Sequence, residues 1–389
     1  MKILLIHNYG QFRGGAETYF ESLCSELEKK GHKVIKYIKD YKTINSFFDK
    51  IKISIGLFYN TRTDKELRKL IEQEKPEVAQ IMNIYPLISA QVYKVLKKYK
   101  IPVIQRIQDY RFFCPKATLF RKKKICELCV TKKLKYPSFI YGCYQNSKLA
   151  SLIFSFAFYF HQIIGSYKLI DRYIFPTKFV RDYYIKYARI KKQKTIVIST
   201  FTDISQFKNN KRTKIKEKDF FLYFGRLSEE KGIIQLLDIF KTLRDIKLVV
   251  VGDGPLKNKV VEYKKYSNIL IKGQLPREEI VTYIERALIT IIPSIWYDVL
   301  PNVLIESYAC GRPVLVPNTG FFPSLVKNKK TGLIYKDFSD LKLKIIRLSN
   351  NIGLINNMSM QAKEENEIKY LPKIHYSKLI SVYKKFLNV

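Results

Sequence analysis

The chain reads as α/β, with two doubly wound parallel-sheet domains facing each other across a cleft. Three observations predict this. Short apolar runs of strand type alternate with helical patterns along the whole sequence, the arrangement that builds parallel sheets. The length of 389 residues suits two domains at ~100–200 residues each, and a hydrophobic content of 47% is ample for two cores. Near the middle, "QFKNNKRTKIKEKDF" (206–220) has almost no apolar content and reads as a linker.

The elements follow in order. In the first half the strands expected are 2–8, 33–39, 78–83, 103–109, 173–177 and 195–199; in the second, 220–227, 247–254, 269–274, 289–294, 313–318 and 332–336. Most end in Gly, Asn, Asp, Ser or Thr, residues that turn a chain toward a helix start. After Gly14 and Gly15, the residues Phe20, Leu23, Cys24 and Leu27 keep helical spacing until Gly31. Ile233, Leu236, Leu237, Phe240 and Leu243 do the same, with Ser228 as the expected N-cap and Lys231 about one turn inside. Pro301 and Asn302 mark another helix start, and Gly311 its stop. The domains expected are 1–205, with a Cys-rich basic insert at 110–165, then 206–370, then a last helix in 371–389 that could return to the first domain.

Lys plus Arg number 71 against 34 Asp plus Glu, a formal charge of +37. Part of this excess belongs to a composition rich in Lys, Ile, Asn and Tyr; the rest favours anionic partners such as nucleic acid, membrane or a charged substrate. "MKILLIHNYG" reads as a first strand, with no secretory signal. The uncharged stretch at 149–167 contains His161 and Gln162 and is marginal against the ~20 residues a spanning helix needs. It reads as a buried or interfacial helix. A cytoplasmic chain with reduced cysteines is expected.

Open α/β sheets bind ligands at the carboxyl ends of their strands, and four loops stand out there. "YGQFRGGAE" (9–17) sets two glycines before a helix, where backbone N–H groups can approach an anion; a plain tight turn explains the pair equally well. "FGRLSEEKG" (224–232) carries Gly225, Arg226 and Lys231, cations suited to a diphosphate or simply to solvent. "VGDGP" (251–255) is a tight turn at Gly252. "YDVLPNVLIE" (297–306) places Asp298 eight positions before Glu306, with Leu300, Pro301, Asn302 and Val303 at the helix start between them. Carboxylates so spaced can accept sugar hydroxyls in two places, or serve as a cap and a surface residue.

In this order and at these distances the four loops resemble the retaining glycosyltransferases of family 4, two Rossmann-like domains in the GT-B fold (glycosyl transferases group 1). The likeness covers nearly the whole chain. Gly14 and Gly15 match the family's GGAE loop, Arg226 and Lys231 its GR…KG element, and Asp298 and Glu306 its E-x7-E motif with Asp in the first place. The resemblance implies that Glu306 holds the donor ribose. It gives the sugar to Asp298 and the amides near Asn302, and the diphosphate to Arg226, Lys231 and the Gly14–Gly15 loop, with no metal required. Gln108 stands where the family usually has His near the reacting centre, so it can donate a hydrogen bond but cannot carry a proton; neighbouring Asp109 could compensate. A UDP- or GDP-sugar donor is implied, as is bacterial surface polysaccharide (capsule, O-antigen or exopolysaccharide) as the product class.

Cys114, Cys126, Cys129 and Cys143 fall within the insert. Their spacing is open between a structural zinc site and four packed thiols. The runs "RKKK" (121–124) and "KKLK" (132–135), beside the apolar 149–164 stretch, suit adsorption to an anionic membrane and hence a lipid-linked acceptor. Nucleic acid is not the partner expected. A basic, zinc-stapled nucleic-acid-binding protein and a glycosidase or phosphorylase on the same sheets are the rival readings.

Overall fold

The computed structural model describes residues 1–10, 14–41, 46–203 and 219–387. The polar stretch read as a linker lies outside them up to residue 218. The chain divides into two compact units, one of Met1–Leu119, Cys126–Ser199 and His375–Val389, the other of Phe120–Ile125 and Thr200–Ile374.

The first unit holds a six-stranded sheet built from β1 (Lys2–Tyr9), β2 (Lys33–Asp40), β3 (Val78–Ile81) and β4 (Val103–Arg106). The hairpin β5 (Phe120–Arg121) and β6 (Lys124–Ile125) goes with the second unit, and β7 (Arg172–Phe175) and β8 (Thr195–Val197) complete the first sheet. Its order is β2-β1-β3-β4-β7-β8 and every pairing is parallel. The second sheet comprises β9 (Phe220–Phe224), β10 (Lys247–Val251), β11 (Ile269–Gly273), β12 (Ile289–Ile291), β13 (Val314–Pro317) and β14 (Gly332–Tyr335). Its order is β11-β10-β9-β12-β13-β14, again parallel throughout.

Central strands covered on both faces are built mostly from apolar residues. β9, "FFLYF", shows why: Phe221 and Tyr223 enter one core with Leu236, Leu237 and Phe240. Phe220, Leu222 and Phe224 enter the opposite one with Tyr283 and Ile284. The direction of winding reverses between β9 and β12 in the second unit and between β1 and β3 in the first. At such reversals the loops leaving the carboxyl ends diverge and open a crevice. Those are the places to search for a site.

The helix Pro372–Lys384 closes the chain. Within the first unit, His375 Nε2 lies 2.9 Å from the Tyr19 hydroxyl, and the Tyr383 hydroxyl donates to Gln80 Oε1 at 2.7 Å. No helix among the described residues is long and apolar enough to cross a membrane.

Candidate active site

In the second unit the loops after β9, β10, β11 and β12 converge. Two glycines make this possible. Gly252 has φ +142°, and a Cβ there would stand 1.9 Å from the Gly225 carbonyl oxygen. Gly232 has φ +68°, and its Cβ would stand 2.0 Å from the Pro293 carbonyl oxygen. Both neighbours are backbone at strand ends, so neither can yield cheaply. Gly252→Ala should therefore cost roughly 3 kcal/mol from strain and overlap combined, read as a lower denaturant midpoint with unchanged slope.

Gly232 also changes the expected helix. Ser228 caps only a 3-10 turn, Glu229–Lys231, and its hydroxyl bonds Glu230 Oε1 at 2.6 Å. The α-helix begins at Ile233, after the left-handed Gly232. Lys231 thus stands just before the α-helix rather than one turn within it. Its ammonium lies 2.5 Å from Asp298 Oδ2 and 5.3 Å from the centre of the Trp296 ring. Asp298 is buried and its second oxygen accepts the Val299 N–H at 3.0 Å. The Ile295 N–H donates to the Glu230 carbonyl at 3.0 Å, lacing the two loops together. Arg226 is exposed on the same loop, its carbonyl held by the Tyr223 hydroxyl at 2.7 Å.

The helix Asn302–Ala309 starts where the sequence places it, with Pro301 as N-cap. Its first-turn amides, including Val303, have no acceptor inside the helix, which gives this end a positive potential; Leu300 lies in the loop just before. Glu306, one turn in, is buried and bonded at 2.5 Å to Arg277 Nη2. Arg277 opens the helix Arg277–Arg286 behind β11. Burial alone would lower its pKa, but the Glu306 carboxylate outweighs this and raises it. Sequence reading missed Arg277. The signal available was "LPREE" (275–279), a Pro and a cation at a helix start behind a fourth strand end.

The first unit carries two predicted elements. Gly14 is the N-cap of the helix Gly15–Lys29, and its N–H donates to Glu17 Oε2 at 2.8 Å, while Gly10 N–H donates to Oε1 at 3.2 Å. The Gly14 amide is engaged by the chain's own carboxylate because Glu17 sits at the third helical residue, the reciprocal place of a capping box. His7, 3.9 Å away, is neutral, burial pushing its pKa down to about 3.

Gln108 lines a small pocket at the carboxyl ends of β3 and β4, with Met82, Tyr85, Gln105, Arg111 and Phe112. Its Nε2 approaches Met82 Sδ at 3.6 Å, and its Oε1 is buried with no hydrogen-bond partner among the described residues. Asp109 is tied to Arg111, Oδ2 to Nε at 3.1 Å and Oδ1 to the Arg111 N–H at 2.8 Å. Both carboxylate oxygens of Asp109 are thus turned to Arg111.

Cys114, Cys126, Cys129 and Cys143 are neighbours: the first, second and fourth each act on the Cys129 thiol. Burial, reinforced by the other three, pushes that thiol up to about 12, so it stays protonated. Its sulfur donates to the Lys135 carbonyl at 3.7 Å. Among the described residues no group of three or more Cys, His, Asp or Glu is placed to hold a metal ion, so the zinc reading finds no ligand set here. The "KKLK" run is not wholly a solvated patch either. Lys135 is buried, with Nζ on the Cys129 carbonyl at 3.2 Å, and burial lowers it to about 8.

Comparison with known proteins agrees with this architecture. Residues 13–206 match the family model Glycosyltransferase Family 4, and residues 205–365 match Glycosyl transferases group 1. The α-monoglucosyldiacylglycerol synthase of Streptococcus pneumoniae is 24% identical over 84% of this chain and 73% of its own length. The capsular polysaccharide biosynthesis glycosyltransferase CapM of Staphylococcus aureus is 28% identical over 47% of this chain and 52% of its own. A glycosyltransferase of Methanocaldococcus jannaschii is 26% identical over half of this chain, which spans 60% of that relative. Among solved structures, Anabaena HepE in complex with UDP-glucose superposes with a TM-score of 0.69 at 12% identity, over 99% of this chain and 100% of that one. Two family models in tandem, two parallel sheets and GT-B neighbours make one assignment: the chain belongs to the family 4 glycosyltransferases of group 1, with the GT-B fold.

Proposed function

We propose that the protein is a retaining hexosyltransferase that moves a sugar from a nucleoside-diphosphate donor to a glycan acceptor in surface-glycan synthesis. One observation carries this reading: at the winding reversal of the second sheet, Lys231 and Asp298 are paired beside Arg226, and the buried Glu306 stands one turn into the next helix. Cations and amides gathered there suit a diphosphate; buried carboxylates suit sugar hydroxyls. The relatives named above make a glycolipid and a capsular polysaccharide, which supports the product class.

In the reaction the bond between the anomeric carbon and the diphosphate oxygen breaks, and the bond to the acceptor oxygen forms on the same face. Negative charge grows on the departing phosphate, where Arg226 and Lys231 stabilise it. The acceptor proton passes to a phosphate oxygen of the leaving group. Glu306 holds the ribose, and Asp298 a hydroxyl of the sugar. The acceptor is lipid-linked, so the enzyme works at a membrane surface on its cytoplasmic face.

A thermal-shift series with UDP, GDP and ADP tests the donor site. At a hundred times its dissociation constant the correct nucleotide adds ~2.7 kcal/mol, a rise of roughly 5–10 °C in the melting of the second unit. No shift with any of the three would sink the reading. Free sugar as the main product with acceptor present would favour a hydrolase instead.

A further inference from the structure

The helix Lys148–Ile163 is inside out. Its buried face carries Ser151, Ser155 and His161 among Phe154, Ala157 and Phe158. The Ser155 hydroxyl meets Ser138 Oγ at 2.8 Å, Ser151 Oγ donates to the Ser147 carbonyl at 2.7 Å, and His161 lies 2.9 Å from the Leu57 carbonyl and 3.0 Å from Ser166 Oγ. The opposite face is apolar and exposed: Leu149 (66%), Leu152 (40%), Phe156 (52%), Phe160 (37%) and Ile163 (65%). Their spacing of three and four residues makes one continuous stripe.

A second helix of the same unit, Phe47–Gly56, lies against it, with Phe58 just beyond its end packed on Phe156 and Phe160 at 6.2 and 5.7 Å between ring centres. It too exposes an apolar row, Phe48 (72%), Ile51 (42%) and Ile55 (66%). Water is the wrong solvent for two adjoining rows of this kind, and an ordinary monomer exposes no such contiguous patch without a use for it. The charge beside the rows is net positive, with Asp49 the one acidic residue of the Phe47–Gly56 helix. Lys50, Lys52, Lys148 and Lys168 are exposed around them, and no Asp or Glu occurs between Glu127 and Asp171.

We propose that these two helices form a monotopic membrane anchor: the apolar rows enter the headgroup–acyl boundary of an anionic bilayer and the flanking lysines meet its lipid phosphates. The inference rests on the proposed function for its purpose, since an insertion face on the first unit brings the enzyme to a lipid-linked acceptor. It also moves membrane contact from the basic runs to the helix pair. An amphipathic helix bound in this way draws on buried apolar area and on charge together.

Vesicle co-sedimentation of the full chain tests it, using phosphatidylcholine alone or mixed with phosphatidylglycerol. The expected result is pelleting with the anionic vesicles that high salt weakens without abolishing, because insertion survives screening. The double variant Phe156→Glu/Ile163→Glu should lower the partition coefficient at least about tenfold. Both side chains are already exposed, so its melting temperature should match the parent's. Binding to anionic vesicles that disappears entirely in salt, or that the double variant retains, overturns the proposal. So does conversion of an oligomer to a monomer by the double variant with vesicle binding unchanged, which would assign the face to a second copy of the chain. The nucleotide thermal shift, measured on the same variant, is expected intact; its loss in the parent would sink the donor site, not the anchor.

Discussion

Lys231→Ala should lower kcat for sugar transfer by about 10²–10³, the usual loss when one preorganised donor to a developing oxyanion is removed. The ammonium has three protons, and Asp298 takes one at 2.5 Å. The other two are available to a departing phosphate, and the Trp296 ring at 5.3 Å limits where the side chain can lie. Asp298 is buried, so losing its cation also frees it to move and blurs the position of the sugar hydroxyl it would hold. KM for the donor should therefore rise as well, but by less than kcat falls. Arg226→Ala should act on the same charge. If both cations contact one phosphate group, the double variant will lose less than the product of the two single losses. Steady-state rates on protein with an unchanged melting curve decide it. A Lys231→Ala enzyme within threefold of the parent would contradict the mechanism.

The strands were legible chiefly because the central strands of both sheets bury both faces. A run such as "KLVVV" or "FFLYF" has no partly solvated alternative, and every strand of the two large sheets overlaps a range read from the sequence. The small hairpin Phe120–Arg121/Lys124–Ile125 was not legible, since two-residue strands in a basic run leave no periodicity to find. The site was legible where it depends on local chemistry. Pro301 and Asn302 announce a helix start, and Arg226 and Lys231 follow a strand end. It was not legible where it depends on distant pairing. Arg277 reaches Glu306 across 29 positions, and only the order β11-β10-β9-β12 brings their strand ends together. Glu17 stands in plain sight in the GGAE loop, but nothing in the sequence marks it as the carboxylate that accepts the Gly14 N–H. Lys135 shows the limit of charge runs, because one lysine of "KKLK" turns inward and its neighbours do not. Helical periodicity likewise could not say which face of 148–163 meets solvent, because both faces carry phenylalanines.

Glu306→Ala should cost about 3 kcal/mol of stability in the second unit and abolish the nucleotide-dependent shift. The stability loss follows from burial. Glu306 and Arg277 side chains are 9% and 26% exposed and stand 2.5 Å apart. Removing one member of such a pair strands the other charge in a poorly solvated place, at ~3–5 kcal/mol when burial is complete and less for a partly exposed arginine. The stranded-charge effect can be separated from the binding effect. Replacing both members, as in Glu306→Leu/Arg277→Met, removes the uncompensated cation, and exchanges of this kind are often neutral or stabilising. The double variant should therefore recover most of the lost denaturant midpoint. It should not recover nucleotide binding, because neither apolar side chain can accept a ribose hydroxyl. A double variant that regains stability and the nucleotide shift together would show that Glu306 serves the fold alone, and the ribose would have to be held elsewhere.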